Sequence, residues 1–193
     1  MGPRIIQVIQ NIFEHLTIPP NWGVTSLVLI PKVACPKLIT QFCPISLCNT
    51  LYKLLSRIIV HRLKPFMAEA INPCQAGFVP GRRTSDNIII VQEVIRTLIS
   101  RRGRTGYIAL KLDLEKVYDY LKWSFIQETL EFFQVPPNLI ALIMNMISST
   151  RFHILWNGSP VPEVVPNRGI RQGDPLSPIP LYPLLGETIH QVE

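Results

Sequence analysis

The sequence predicts an α+β fold, in which helices pack on a small antiparallel sheet. Apolar residues recur at helical spacing in several segments and alternate with polar residues in others, and Pro and Gly separate these segments. Of the 193 residues, 47% are hydrophobic and 17% are charged, a composition that excludes a disordered chain. The length favours a single domain with a sizeable core.

Helical spacing of apolar residues predicts five helices, in residues 4–16, 49–64, 88–102, 122–133 and 137–149. Pro19 and Pro20 end the first helix because proline cannot continue one. Ser85 and Asp86 are typical N-cap residues for the third.

Alternation of apolar and polar residues predicts the strands. VTSLVLIPK reads as a strand closed by Pro31, and FHILWNGSPVPEVV reads as a hairpin around Asn157 and Gly158. In GYIALKLDLEKVYD, residues 106–119, one face of a strand is apolar and the other carries Asp113. Prolines in the tail forbid a regular helix until about Leu184.

The charge of the chain favours a polyanionic partner. The net charge is +6 and the pI is about 9.4. Residues 82–111 carry seven Lys and Arg but only two acidic residues, which indicates nucleic acid rather than a merely basic globule. The four cysteines lack the spacing of a zinc site. We find no signal peptide or transmembrane segment, so we expect an intracellular protein that is not inserted in a membrane.

Asp113 lies at the end of an otherwise apolar predicted strand, where a carboxylate is costly to bury without a partner. It could form a salt bridge with Lys111 or Arg104, or it could bind Mg²⁺, since hard cations take carboxylate oxygen and act on phosphate substrates. One aspartate alone leaves both alternatives open.

Several segments together resemble a known family. LVLIPK, PISLCNTLYKLLSRIIVHRLKP, QAGFVPGRRTSDNIIIVQEV, KLDLEKVYD and RGIRQGDPLSP occur in this order. They resemble the reverse transcriptase domain of plant LINE-type retrotransposons, which lack long terminal repeats. The resemblance implies a partial right-hand polymerase, containing the fingers and the first part of the palm. Its partners would be an RNA template, a DNA primer and deoxynucleoside triphosphates, in the nucleus or cytoplasm.

The resemblance also implies a division of the single domain 1–193. Residues 20–105 would be fingers-like, 106–119 would form the palm strand with the first catalytic aspartate, 120–168 would form helices and a hairpin, and 169–193 would form a nucleotide-site loop and a helix.

Site residues follow from the same motifs. The resemblance makes Asp113 the first catalytic aspartate and a Mg²⁺ ligand, and Tyr118 the aromatic residue that packs under the incoming sugar. Arg171, Gln172 and Gly173 would form the loop beside the nucleotide. Arg82 would contact a triphosphate or template phosphate, or else be a solvated surface charge. Asp119 would serve in capping or a salt bridge rather than in chemistry.

Some residues depart from the family pattern. Cys43 stands where a cation is expected before PISL, and Val117 stands where alanine is usual beside the aromatic residue. None of the four aspartates is adjacent to another, and the family supplies further carboxylates from a later Asp-Asp hairpin. We therefore expect a truncated chain that is nearly inert alone. The alternatives are a non-catalytic RNA or primer-template binding remnant, and a poorly folded relic with no present role.

Overall fold

The computed structural model describes residues 2–70, 82–100, 116–156 and 158–178. Within them, the chain forms six α-helices and one four-stranded sheet. The helices are α1 (Gly2–His15), α2 (Thr50–Ala70), α3 (Thr84–Ser100), α4 (Val117–Tyr120), α5 (Trp123–Phe132) and α6 (Pro137–Ser148). The strands are β1 (Val24–Pro31), β2 (Phe42–Cys48), β3 (Arg151–Trp156) and β4 (Ser159–Pro160).

The sheet has the strand order β2-β1-β3-β4. β1 pairs with β2 in antiparallel register from Thr25↔Cys48 to Pro31↔Phe42, and it pairs with β3 in parallel register from Val24↔Arg151 to Val28↔Leu155. The α+β class is confirmed, although the described sheet is mixed rather than wholly antiparallel. The parallel pair arises because the chain returns to β3 after a long connection that includes helices.

The core forms where one stripe of α2 meets α5 and α6. Tyr52, Leu55, Ile59 and Leu63 follow one another at intervals of three or four residues and are fully buried. Burial of each such aliphatic side chain contributes about 1.5–3 kcal/mol. The partners include buried side chains of α5 and α6, namely Ile126, Leu130, Leu142, Ile143 and Met146. Lys53, Arg57, Arg62 and Lys64 lie away from the buried stripe, as the spacing predicts.

Most of the predicted elements form. Helix α1 ends before Pro19, the helices α5 and α6 are separated by a short loop that contains Pro136, and β3 and β4 form the predicted hairpin, in which Gly158 has φ +81°. Up to Pro178, the described tail contains no helix. Arg62 lies over the ring of Phe13 at 4.0 Å, and this contact joins α2 to α1.

Three features differ from the sequence prediction. Strand β2 was not expected because it contains Pro44; an edge strand tolerates proline, since one side of the strand has no ladder partner. Helix α3 begins at Thr84, so Ser85 and Asp86 lie in its first turn rather than at its N-cap. The end of the predicted palm strand is helical, because Val117–Tyr120 form α4. Residues 106–115, with Asp113, lie outside the described residues.

Helix α3 is exposed along nearly its whole length, including apolar side chains such as Ile89 and Ile99. Among the described segments, no helix is both long enough and apolar enough to cross a membrane.

Candidate functional site

The segment just before the predicted nucleotide loop pairs with α4. The Gly169 N–H donates to the Leu121 carbonyl at 2.7 Å, and the Ile170 N–H donates to the Tyr118 carbonyl at 2.7 Å. The Trp123 indole Nε1 donates to the Gly169 carbonyl at 2.9 Å. These bonds bring together two sequence motifs that are about fifty residues apart.

Only glycine fits at position 169. Its φ is +80°, in the left-handed region that L side chains rarely adopt. A Cβ atom there would lie 2.9 Å from the carbonyl oxygens of both Tyr118 and Asp119. The missing side chain therefore permits the close approach that fixes the loop against α4.

Arg171 is buried, with its side chain 3% exposed. Its Nη1 donates to Thr25 Oγ1 at 2.8 Å, and its guanidinium lies over the ring of Tyr52 at 3.8 Å. Its Nε lies 3.8 Å from Oδ2 of Asp174, whose side chain is 5% exposed. Longer bonds reach the carbonyls of Gly23 and Met146, at 3.4 and 3.5 Å. This arginine ties the loop to the start of β1 and the end of α6.

The far end of the loop is also closed by internal bonds. Asp174 Oδ1 accepts from the Leu176 N–H at 3.1 Å, and the Ser177 hydroxyl donates to the Arg171 carbonyl at 2.5 Å. The Arg171–Asp174 ion pair is thus enclosed by a turn that returns to Arg171 itself. Gln172 and Gly173 lie within this turn, between the paired residues Arg171 and Asp174.

Gln172 and Gly173 face strand β2. The Gln172 carbonyl accepts from the Ser46 N–H at 3.2 Å, and Gly173 has φ +100°. Gln172 Oε1 lies 3.9 Å from the Cys43 thiol, which donates to it. The residue that replaces the expected cation, Cys43, is therefore a direct neighbour of the predicted nucleotide loop. The donor group of the Gln172 side chain is its Nε2 amide.

A cavity of about 150 Å³ lies between α4 and the loop. Its lining includes Tyr118 and Asp119 on one side, and Tyr52, Arg171 and Asp174 on the other. Typical small-molecule sites begin at about 300 Å³, so this cavity has room for a part of a nucleotide rather than the whole. Burial raises the pKa of the Tyr118 phenol, which therefore remains protonated and able to donate.

The structure places Tyr118 and Arg171 at this cavity, whereas Gln172 and Gly173 face β2 and do not line it. Arg82 is half-buried, just before α3, and does not line this cavity. Asp113 lies outside the described residues.

The described part of the chain contains no group of three or more His, Cys, Asp or Glu side chains that could hold a metal ion. Asp174 is already paired with Arg171, and Asp86 is exposed on α3. Asp119 is exposed in α4 and lines the cavity.

Sequence reasoning missed Tyr52, Gly169 and Asp174. Tyr52 was not identified because it occurs at the same helical spacing as the core leucines of α2, so the sequence gives no sign of a role beyond the core. Gly169 lies two residues before Arg171 of the RQG triplet and Asp174 directly follows the triplet, and this position was the only available signal. A buried cation needs a buried anion nearby, and Asp174 is the acidic residue closest to Arg171 in the sequence.

Comparison with known proteins gives several relatives. The chain is 31% identical over 177 residues to the "Transposon TX1 uncharacterized 149 kDa protein" of Xenopus laevis, covering 92% of this chain and 13% of that protein. It is 34% identical over 164 residues to the retrovirus-related Pol polyprotein from type-2 retrotransposable element R2DM of Drosophila melanogaster, covering 84% of this chain and 15% of that protein.

A third relative is the retrovirus-related Pol polyprotein from type-1 retrotransposable element R2 of Popillia japonica. It is 28% identical over 173 residues, covering 89% of this chain and 24% of that protein. The chain thus spans less than a quarter of the length of each of these relatives.

The family profile described as reverse transcriptase (RNA-dependent DNA polymerase) matches residues 30–192, which include β2, the paired α4 and the whole loop of the candidate site. The chain belongs to the reverse transcriptase family.

Proposed function

We propose that this chain is the nucleotide-proximal part of an RNA-directed DNA polymerase from a LINE-type retrotransposon without long terminal repeats. One observation carries the proposal: the 2.7 Å bond from Ile170 to the Tyr118 carbonyl, which joins the two motifs expected on either side of a nucleotide. The family match supports the same conclusion. The narrower assignment to plant elements stays a prediction.

Each residue has a distinct role in this proposal. Tyr118 packs under the deoxyribose and leaves no room for a 2′-hydroxyl group. Gln172 donates from its amide to the nucleotide, and Gly173 lets the backbone approach it closely. Arg171 holds the loop in place from within, since its guanidinium is buried beneath it. Arg82 contacts a triphosphate or template phosphate.

We propose Asp113 as the Mg²⁺ ligand of this site. When bound, Mg²⁺ would activate the primer 3′-hydroxyl and stabilise the pyrophosphate leaving group. Phosphoryl transfer of this kind uses two metal ions and several carboxylates. Because Asp174 is paired with Arg171, the described loop adds no free carboxylate of its own.

Magnesium-dependent deoxynucleotide binding tests the proposal. The full chain, mixed with a primed RNA template, is titrated with a deoxynucleoside triphosphate in the presence and absence of Mg²⁺. We expect Asp113→Asn to abolish the effect of Mg²⁺, whereas the matched control Asp119→Asn retains it. Equal binding by the wild type and Asp113→Asn would contradict the role of Asp113.

Primer extension tests catalysis separately. We expect the 193-residue chain to bind a primed template without extending it, because Asp113 lacks partner carboxylates in this sequence. Extension that requires Mg²⁺ and is lost in Asp113→Ala would show that the chain is sufficient for DNA synthesis.

A second candidate function is to hold RNA or a primer-template without catalysis. Residues 15–68 contain six Lys and Arg and no Asp or Glu, an imbalance that favours a polyanion. We expect the affinity for RNA to fall steeply with salt, since phosphate contacts release counterions. Binding that does not depend on salt would contradict this function.

A further inference from the structure

Two aromatic side chains meet at the end of the sheet, and neither lines the cavity of the candidate site. Phe42 begins β2 and is paired with Pro31, whereas Trp156 ends β3 and follows Leu155, which is paired with Val28. The rings lie on either side of the end of β1, with centroids 6.0 Å apart and planes tilted by 57°. We call Phe42 and Trp156 the aromatic pair.

The aromatic pair is open to solvent. Trp156 is 48% exposed and Phe42 is half-buried. The other two tryptophans are placed differently: Trp22 is 8% exposed, and the Trp123 indole donates to Gly169. An aromatic ring that is half exposed at a sheet end offers a face on which a base can stack.

Cations lie beside the aromatic pair. The Lys32 N–H donates to the Gln41 carbonyl at 2.8 Å, which fixes Lys32 next to the start of β2. The Lys37 N–H donates to Gln41 Oε1 at 2.6 Å, so the loop that carries both lysines is closed on the residue before Phe42. Both lysine side chains are exposed, within the stretch 15–68 that has no acidic residue.

The pair is connected to the candidate site by one strand. Phe42 directly precedes Cys43, whose thiol lies 3.9 Å from Gln172 Oε1. Ser46 donates its N–H to the Gln172 carbonyl. Strand β2 therefore carries Phe42 directly beside residues that contact the Gln172 loop.

We propose that the aromatic pair is a stacking platform for single-stranded template, whose phosphates contact Lys32 and Lys37. This inference rests on the proposed function, because it takes the Gln172 loop as the nucleotide site. The template strand would approach that loop along β2 with one or two unpaired bases stacked on Trp156 and Phe42. Stacking is tolerant of sequence, since every base has a π-face.

The test measures binding of a short fluorescein-labelled oligouridylate to the full chain by anisotropy at low salt. We expect Trp156→Leu and Phe42→Leu each to weaken binding by about 5- to 150-fold, the range for loss of one base stack. Trp156→Phe keeps an aromatic face and should recover most of the affinity. The matched control is Phe132→Leu, because Phe132 is 72% exposed and also contacts a neighbouring ring, that of Phe133.

Three further results decide the matter. Lys32→Gln should reduce the salt dependence by about one phosphate contact, a slope change of about 0.7 for a single strand. If Trp156→Leu and Phe42→Leu bind the oligouridylate like the wild type, and far-ultraviolet circular dichroism shows that both variants fold, the stacking platform is contradicted. The proposed nucleotide site would not be affected by that result. A wild type that binds no single strand would overturn the platform and the template-holding part of the proposed function together.

Discussion

Arg171 is the residue whose position most changes the interpretation of the RQG motif. Sequence reasoning assigns it to the nucleotide, and the structure places its guanidinium between Thr25, Tyr52 and Asp174, away from solvent. An ion pair that is buried on both sides is costly to break, because the remaining charge keeps its desolvation penalty. The residue therefore supports Gln172 and Gly173 rather than presenting its own charge.

The first prediction follows from that burial. Arg171→Met should lower the free energy of unfolding by about 3–5 kcal/mol, since it leaves Asp174 buried without its cation. The double variant Arg171→Met with Asp174→Leu should recover a large part of this loss, because no charge remains buried. Urea unfolding of the single and double variants measures both effects, and a double variant that is less stable than Arg171→Met would contradict the ion-pair account.

The second prediction concerns Tyr52. Burial raises the pKa of its phenol well above the ordinary value, and the nearby Asp174 carboxylate raises it further. The unfolded chain therefore loses this proton at a lower pH than the folded chain does. The contribution of Tyr52 to the free energy of unfolding is present below about pH 10 and is lost as the pH rises further. Tyr52→Phe should lose about 1 kcal/mol at neutral pH, with its bond to the Met146 carbonyl, and show a weaker decline in alkali. Urea unfolding at several pH values gives the comparison, and an unchanged alkaline decline would contradict it.

At the scale of elements, the site depends on the seam between α4 and residues 169–170. Gly169→Ala should destabilise the protein and weaken nucleotide binding, because a Cβ atom would meet backbone at 2.9 Å and the φ of +80° strains any side chain. Gly158→Ala is the matched control: its φ is +81°, but no atom lies within 4 Å of the added Cβ. Thermal unfolding and nucleotide titration should show the larger loss in Gly169→Ala; equal losses would mean that backbone strain, not the seam, matters.

The elements also show what sequence can and cannot predict. Helices α1, α2, α5 and α6 follow from apolar spacing, because each buries one stripe, and the hairpin follows from Asn-Gly chemistry. Strand β2 escapes prediction because Pro44 is unfavourable in a strand unless the strand lies at an edge, and edge position is a property of the whole sheet. The ion pair of Arg171 likewise depends on contacts with Thr25 and Tyr52, which are far away in the sequence.

At the scale of the molecule, β1 and β3 unite two distant parts of the chain. The parallel pairing of Val24–Val28 with Arg151–Leu155 places the first strand and the later hairpin in one sheet. Arg171 reinforces this union, since it bonds to Thr25 of β1 and to the end of α6. The predicted nucleotide loop is consequently held by elements from both parts of the chain.

The central claim is that Tyr118 and the 171–173 loop form the nucleotide site of a reverse transcriptase domain. Its most direct test is the preference of the full chain, with a primed RNA template and Mg²⁺, for a deoxynucleoside over a ribonucleoside triphosphate. Tyr118→Ala should reduce this preference by about tenfold, or about 1.4 kcal/mol. The control Tyr120→Ala should not, because Tyr120 is 56% exposed and does not line the cavity. A preference that is the same in the wild type and Tyr118→Ala would contradict the claim.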